Sequence, residues 1–169
     1  MQKRSLTYIE NSFLALATLV FGMMAGLFWT YTFNVNYAML EVDGATYATV
    51  QSLLNQNVRH FMFFLFFFGG GFFSVLALAA NWKHWQSAPF WLLALAAAIY
   101  IFGVIVFTAQ VNLPLNYYTE SWDPQNLPAD WAQVRTQWNN ANAIRVGTSG
   151  AAFVLALAAL VVRASRNAV

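Results

Sequence analysis

Apolar residues gather into four long runs, Ser12 to Phe33, Val58 to Ala80, Pro89 to Val111 and Val146 to Val162, with almost no charge inside any of them. A helix needs about 20 mostly apolar residues to cross a hydrocarbon layer of about 30 Å, and the first three runs meet that length. The fourth meets it only when it begins near Asn142, which sets the predicted spans at about 12–33, 58–80, 89–111 and 142–163. The pattern predicts an all-α fold: a four-transmembrane-helix bundle in a single integral membrane domain, residues 1–169.

The polar intervals are read from their punctuation. Asn34 to Asn57 mixes polar residues with helix formers and has room for a short helix, and Asn81 to Ser87 is a tight turn ahead of Pro89. Asn112 to Ala129 holds three of the four prolines, Pro114, Pro124 and Pro128, and predicts an irregular segment laid across one face. Pro128 with Asp130 behind it marks a helix start. From there to Arg163 nothing compels a break, so the last helix is expected to run about 36 residues, or about 54 Å. Its first turns must then extend beyond the membrane on the outer side, as part of an outer loop-helix region over residues 112–141.

Charge orients the bundle. With both the N and C termini cytoplasmic, the inner side carries Lys3, Arg4, Lys83, Arg163 and Arg166 against Glu10. The outer side then carries Arg59, Arg135 and Arg145 against Glu41, Asp43, Glu120, Asp123 and Asp130. Met1 to Arg4 followed by a long apolar run, with no small-residue cleavage site after it, reads as an uncleaved first span in a bacterial inner membrane. Composition agrees: 60% of residues are apolar, and only 8 Lys or Arg and 6 Asp or Glu stand against 16 Phe, 7 Trp and 7 Tyr. Lipid is the expected partner over most of the surface. The basic residues lie at helix ends rather than in a patch, which argues against nucleic acid, and the lack of cysteine removes disulfides, thiolate metal sites and cysteine nucleophiles.

Against this background one polar pattern stands out. Trp131, Arg135, Trp138, Asn142, Arg145 and Ser149 are spaced 4, 3, 4, 3 and 4 apart, so they share one helix face about 80° wide. A solvated face does not normally hold two tryptophans, and a lipid face does not hold two arginines and an asparagine. The face is expected to turn inward, either as a structural network with Asp123 or Glu120 as counter-ions or as a binding site. Asn34 and Asn36, then Gln56, Asn57, Arg59 and His60, then Thr108, Gln110, Asn112 and Asn116 place further polar groups at the same mouth. Segments 31–36 and 107–112 also echo each other at an offset of 76, which suggests a tandem helical hairpin.

Candidate chemistry follows from these residues. His60 and His84 are 24 residues apart, too far to hold one metal or haem together, so no cofactor is expected; a haem or metal on His60 alone stays an alternative. His60 is the one neutral-pH base near the mouth and Arg145 the intramembrane cation, the two expected catalytic groups. Asn36, Arg59, Asn112, Asn116, Trp131, Arg135, Trp138 and Asn142 are the expected substrate-binding groups. Gly69, Gly70 and Gly71, with Gly22 and Gly26, suit close helix approach.

The run Val111-Asn112-Leu113-Pro114-Leu115-Asn116, then Trp122, then Trp131, Arg135, Trp138, Asn142 and Arg145 leading into the last span, resembles the anthrone-oxygenase-like family of small four-span membrane proteins, as does Gly22 to Trp29. The resemblance implies oxidation of a flat phenolic substrate by dioxygen, without a separate cofactor. In that reading His60 removes a proton from an activated carbon and the arginines stabilise the enolate. Non-catalytic binding of a lipid or lipid-soluble small molecule, an accessory subunit, and transport remain the alternatives. Oligomeric state is open.

Overall fold

A computed structural model describes residues 2–166, with side chains over residues 8–165; Lys3, Arg4 and Arg166, which entered the charge balance, lie outside the described side chains. Helix α1 (residues 2–40) is α-helical over Gln2–Thr30, widens into a π-helical turn at Tyr31–Val35, and closes again over Asn36–Leu40. Helix α2 (Gly44–Asn57) starts where Asp43 Oδ1 accepts the backbone N–H of Thr46 at 2.8 Å. Helix α3 (Phe61–Ala80) follows after a three-residue break and ends in a 3-10 turn, Trp82–His84.

Helix α4 (residues 88–120) runs as Ala88–Tyr100, passes through π-helical turns at Ile101–Val106 and Thr108–Asn112, and continues over Leu113–Glu120. The irregular segment expected from Asn112 therefore begins only after Glu120. Pro114 does not stop the helix; it falls directly after the π-helical turn Thr108–Asn112, at the beginning of the next α-helical stretch. Helix α5 (Trp131–Arg166) is one unbroken element of 36 residues.

Among the described residues four helices are long and apolar enough to cross a membrane, and the protein is a multi-pass membrane protein. In the bundle α1 packs on α3 and α5, and α4 packs on the same two, so neighbours in the ring alternate in direction. Close approach is set by glycine at particular points. A Cβ on Gly70 would run into the Tyr100 ring, and one on Gly22 would lie 2.9 Å from Phe153. Gly26 departs from the expectation: nothing stands within 4 Å of its Cβ position, so it mediates no contact.

Three of the spanning helices are much longer than the fourth: 33 residues for Tyr8–Leu40 and Ala88–Glu120 and 35 for Trp131–Ser165, against 20 for α3. At 1.5 Å per residue the long ones measure about 50 Å and α3 about 30 Å. Exposed aromatic side chains stand where a lipid layer would end: Tyr8, Trp82, Trp85 and Trp91 at one end, Trp29 and Phe61 at the other. Beyond the second girdle the long helices and α2 build a head with its own core of Met39, Tyr47, Ala48, Trp122 and Val134. Because α3 stops short of that head, the bundle loses one wall there, and α2 arrives in its place.

The end that carries the chain termini is closed differently. Arg163 on α5 pairs with Glu10 on α1 and donates to Asn81 Oδ1. Asn81 Nδ2 donates to the Ala77 carbonyl at 2.8 Å, and His84 Nε2 stands 3.4 Å from Glu10 Oε2. The two π-helical turns at Tyr31–Val35 and Thr108–Asn112 begin 77 residues apart, one off the sequence echo, and each leads to a buried asparagine, Asn36 or Asn112.

Candidate functional site

A cavity of about 320 Å³ lies between the spanning helices and the head, where α3 begins and the last turns of α2 dock. α1 contributes Leu27, Phe28 and Tyr31; α3 contributes Phe63, Phe64, Phe67 and Phe68. The last turns of α2 bring Leu54 and Asn55, and the break after it brings Val58 and Arg59. From α4 come Ile105, Thr108, Ala109, Leu113, Asn116 and Tyr117, and from α5 Trp138, Asn142 and Arg145. Tyr31 and Thr108 stand on the π-helical turns, a helix distortion that recurs at functional sites.

Arg145 is the chemical centre of this lining. It is 7% exposed, and its guanidinium lies over the Phe28 ring at 4.6 Å and the Trp138 ring at 5.7 Å. Nη2 donates to Asn142 Oδ1 at 2.5 Å, and Nε has no partner. Among the described residues no carboxylate pairs with it. Asn142 is held in turn: its Nδ2 donates to Thr32 Oγ1 at 2.6 Å and to the Phe28 carbonyl at 3.3 Å. The amide orientation thus aims its oxygen at the arginine. Trp138 Nε1 donates to Asn116 Oδ1 at 2.6 Å, which fixes the indole against the cavity.

Of the ten residues singled out from the sequence, the cavity gathers five: Arg59, Asn116, Trp138, Asn142 and Arg145. Arg59 is not a free cation, since it forms a two-pronged pair with Glu120, with Nη1 to Oε2 at 3.0 Å, and lies over Tyr117 at 5.4 Å. Glu120 therefore serves Arg59 and not the α5 stripe, and Asp123 accepts the backbone N–H of Gln125 within its own loop.

The other five stand elsewhere. Arg135 donates to the Met39 carbonyl at 3.3 Å and lies over Trp131 at 4.9 Å and Tyr47 at 5.6 Å, all within the head. Burial pushes the Tyr47 phenol up from its ordinary range, so it stays neutral and does not compensate Arg135. Trp131 packs in the same head core, while Asn36 and Asn112 are buried outside the cavity lining. Asn112 has neither amide atom partnered. His60 is exposed, away from the lining, and its Nδ1 accepts the Phe63 N–H at 3.3 Å as the cap of α3. The expected base is thus a helix cap, because the chain must turn sharply into α3 at this point and the first free N–H groups need an acceptor.

Sequence reading missed Gln51 and Asn55. Gln51 Nε2 donates to Asn55 Oδ1 at 3.0 Å, Asn55 Nδ2 to Thr119 Oγ1 at 3.1 Å, and Thr119 Oγ1 to the Asn116 carbonyl at 3.0 Å. This chain ties α2 to α4 as a roof over the cavity. The signal was present as Tyr47, Gln51 and Asn55 at four-residue steps on one helix face.

The family model described as Anthrone oxygenase matches residues 58–155, more than half of the chain. The chain belongs to the anthrone oxygenase family. The match runs through α3, α4 and most of α5 and takes in all five cavity residues foreseen from the sequence. In this anthrone oxygenase family member α1 and α2, with Phe28, Tyr31 and Asn55, lie outside the matched stretch. No curated protein and no solved structure matches the chain significantly.

Proposed function

We propose that this membrane protein is an oxygenase that oxidises a flat, phenolic or otherwise activated lipid-soluble substrate in the cavity beside Arg145. The observation that carries the reading is a buried guanidinium, unpaired by any carboxylate among the described residues, facing an aromatic cavity in a chain of the anthrone oxygenase family. Oxidation of an anthrone-like methylene by dioxygen needs its carbon as an enolate. A fixed cation at low dielectric holds that single charge in the cavity. The methylene loses two hydrogens, one oxygen atom becomes the new carbonyl, and the other leaves as water.

Asn142 holds the guanidinium in place and Trp138 with the phenylalanines offers flat faces for stacking. No carboxylate or imidazole is among the lining residues, so the substrate gives up its proton to water before it seats rather than to His60. The charge balance supports a cytoplasmic location for the termini and an outer location for the head, with a bacterial inner membrane as the setting.

Purified protein in phosphatidylcholine nanodiscs, given 1,8-dihydroxyanthrone, is expected to consume one dioxygen per quinone formed, well above the autoxidation seen with empty nanodiscs. Arg145→Gln should lower the rate by about 100-fold or more. No acceleration over empty nanodiscs, or equal rates for the two proteins, would remove the proposal. Pure binding of an anionic amphiphile is the second reading, favoured by the same unpaired cation, and predicts retention of ligand without oxygen uptake.

A further inference from the structure

We infer that the ligand of this cavity is a monoanionic amphiphile, charged before any chemistry begins, which enters sideways from the lipid between α3 and α4. The inference rests on the cavity's being the site proposed above.

The charge argument starts from the guanidinium, which keeps its proton throughout the physiological range. Arg145 has a neutral amide oxygen as its hydrogen-bond acceptor, two rings beside it, and an Nε without a partner. A buried ion is costly unless it is paired. An anion that arose only during reaction would leave the loaded ground state uncompensated, whereas a ligand already ionised supplies the missing charge on arrival. The number of charges follows from the other cation in the lining. Arg59 is already matched by Glu120, so one negative charge completes the site and a second would have no partner.

The body of the ligand is set by the remaining walls, which are largely aromatic: Phe63, Phe64, Phe67 and Phe68 on one side, Ile105 and Leu113 on the other. About 320 Å³ matches the lower end of small-molecule sites. The route follows from which sides are fastened. Toward the head, the Gln51, Asn55, Thr119 chain and the Arg59 to Glu120 pair close the roof. Toward lipid, five lining residues are also exposed at the surface: Leu27 on α1, and four that flank a single seam, Phe64 and Phe68 on α3 with Ala109 and Tyr117 on α4. The seam between these helices is therefore open where Ala109 presents only a methyl group.

The test is binding without turnover, under nitrogen, with the whole protein in phosphatidylcholine vesicles and anthracene-9-carboxylate as probe. Tryptophan-to-anthracene energy transfer should report affinity at least about ten-fold greater than for neutral 9-methylanthracene or the dianion anthracene-9,10-dicarboxylate. Arg145→Gln should erase the preference for the carboxylate and Arg145→Lys should keep part of it. Ala109→Trp should slow loading from donor vesicles by about ten-fold, while Thr119→Val, which unties the roof, should leave the loading rate unchanged. Equal affinity for the carboxylate and the neutral probe, or loading slowed by Thr119→Val and not by Ala109→Trp, would overturn the inference. Failure of oxygen uptake with the anthrone would leave these binding results untouched, so the two readings fall separately.

Discussion

Helix α5 carries an arginine near each end of the bundle, Arg145 buried and Arg163 half-buried, and the two are treated in opposite ways. Arg163 meets Glu10, with Asn81 as a further acceptor and His84 alongside, so its charge is cancelled within the protein. Arg145 meets Asn142 and two aromatic rings, and no carboxylate pairs with it among the described residues. The space around them differs as well: little free volume, about 10 Å³, adjoins Arg163, and about 320 Å³ adjoins Arg145. An arginine that only holds helices together is satisfied by its own chain. One left with a neutral partner beside a cavity is the residue for which the proposed function supplies a partner from outside the fold.

The comparison is most strongly tested at the satisfied end. Arg163→Gln would strand Glu10 in a half-dry setting, so stability should fall by about 3 kcal/mol. Thermal unfolding in detergent, followed by circular dichroism, checks this; an unchanged midpoint would mean the cluster is not a clasp. Removing Glu10 and Arg163 together should recover much of the loss, since neither charge is then left alone.

Packing below the cavity gives the next effect. Gly70→Ala places a methyl group against the Tyr100 ring, which is fully buried and donates to the Phe67 carbonyl at 2.9 Å, and should cost about 1–3 kcal/mol. Gly26→Ala meets nothing and should be neutral or slightly stabilising by the same unfolding measurement. Equal effects would show that helix approach at Gly70 is not as tight as its geometry states.

Smaller changes are expected at groups that position the site. Asn116→Ala takes the acceptor from Trp138 Nε1 and should cost about 1 kcal/mol, with a shift in tryptophan emission as the indole loses its polar partner. His60→Ala should be the mildest. It removes the α3 cap, worth up to about 1 kcal/mol, and should leave oxygen uptake with the anthrone within about two-fold of wild type. A large loss of oxygen uptake would return His60 to the chemistry.

Much of the fold was legible because each span had to satisfy its own backbone in lipid, which forces long uninterrupted apolar runs. The unbroken α5 was readable for the same reason, as Trp131, Arg135, Trp138, Asn142 and Arg145 kept a helical period across the membrane boundary. The persistence of α1 through Asn34 and of α4 through Pro114 was not. Polar residues and a proline look like a loop in sequence, but once a head with its own core stands on the bundle, α-helix extends past the lipid edge and π-helical turns absorb the irregularity. The site was legible on α5 and around Asn116. Arg135 and Arg145 share one face, yet only burial against Phe28 or against Met39 and Tyr47 tells them apart, and that depends on where α1 ends and α2 docks. His60 was harder to read, because a histidine at a helix start has the same sequence context whether it serves as base or as cap, and here its Nδ1 caps α3.

The most direct measurement is the thermal midpoint of ligand-free Arg145→Gln beside wild type and Arg163→Gln. An arginine reserved for an incoming anion costs the empty protein stability, so the midpoint of Arg145→Gln should equal or exceed that of wild type while Arg163→Gln falls well below it. A drop for Arg145→Gln as large as that for Arg163→Gln would contradict the account, since Arg145 would then be one more strut of the bundle.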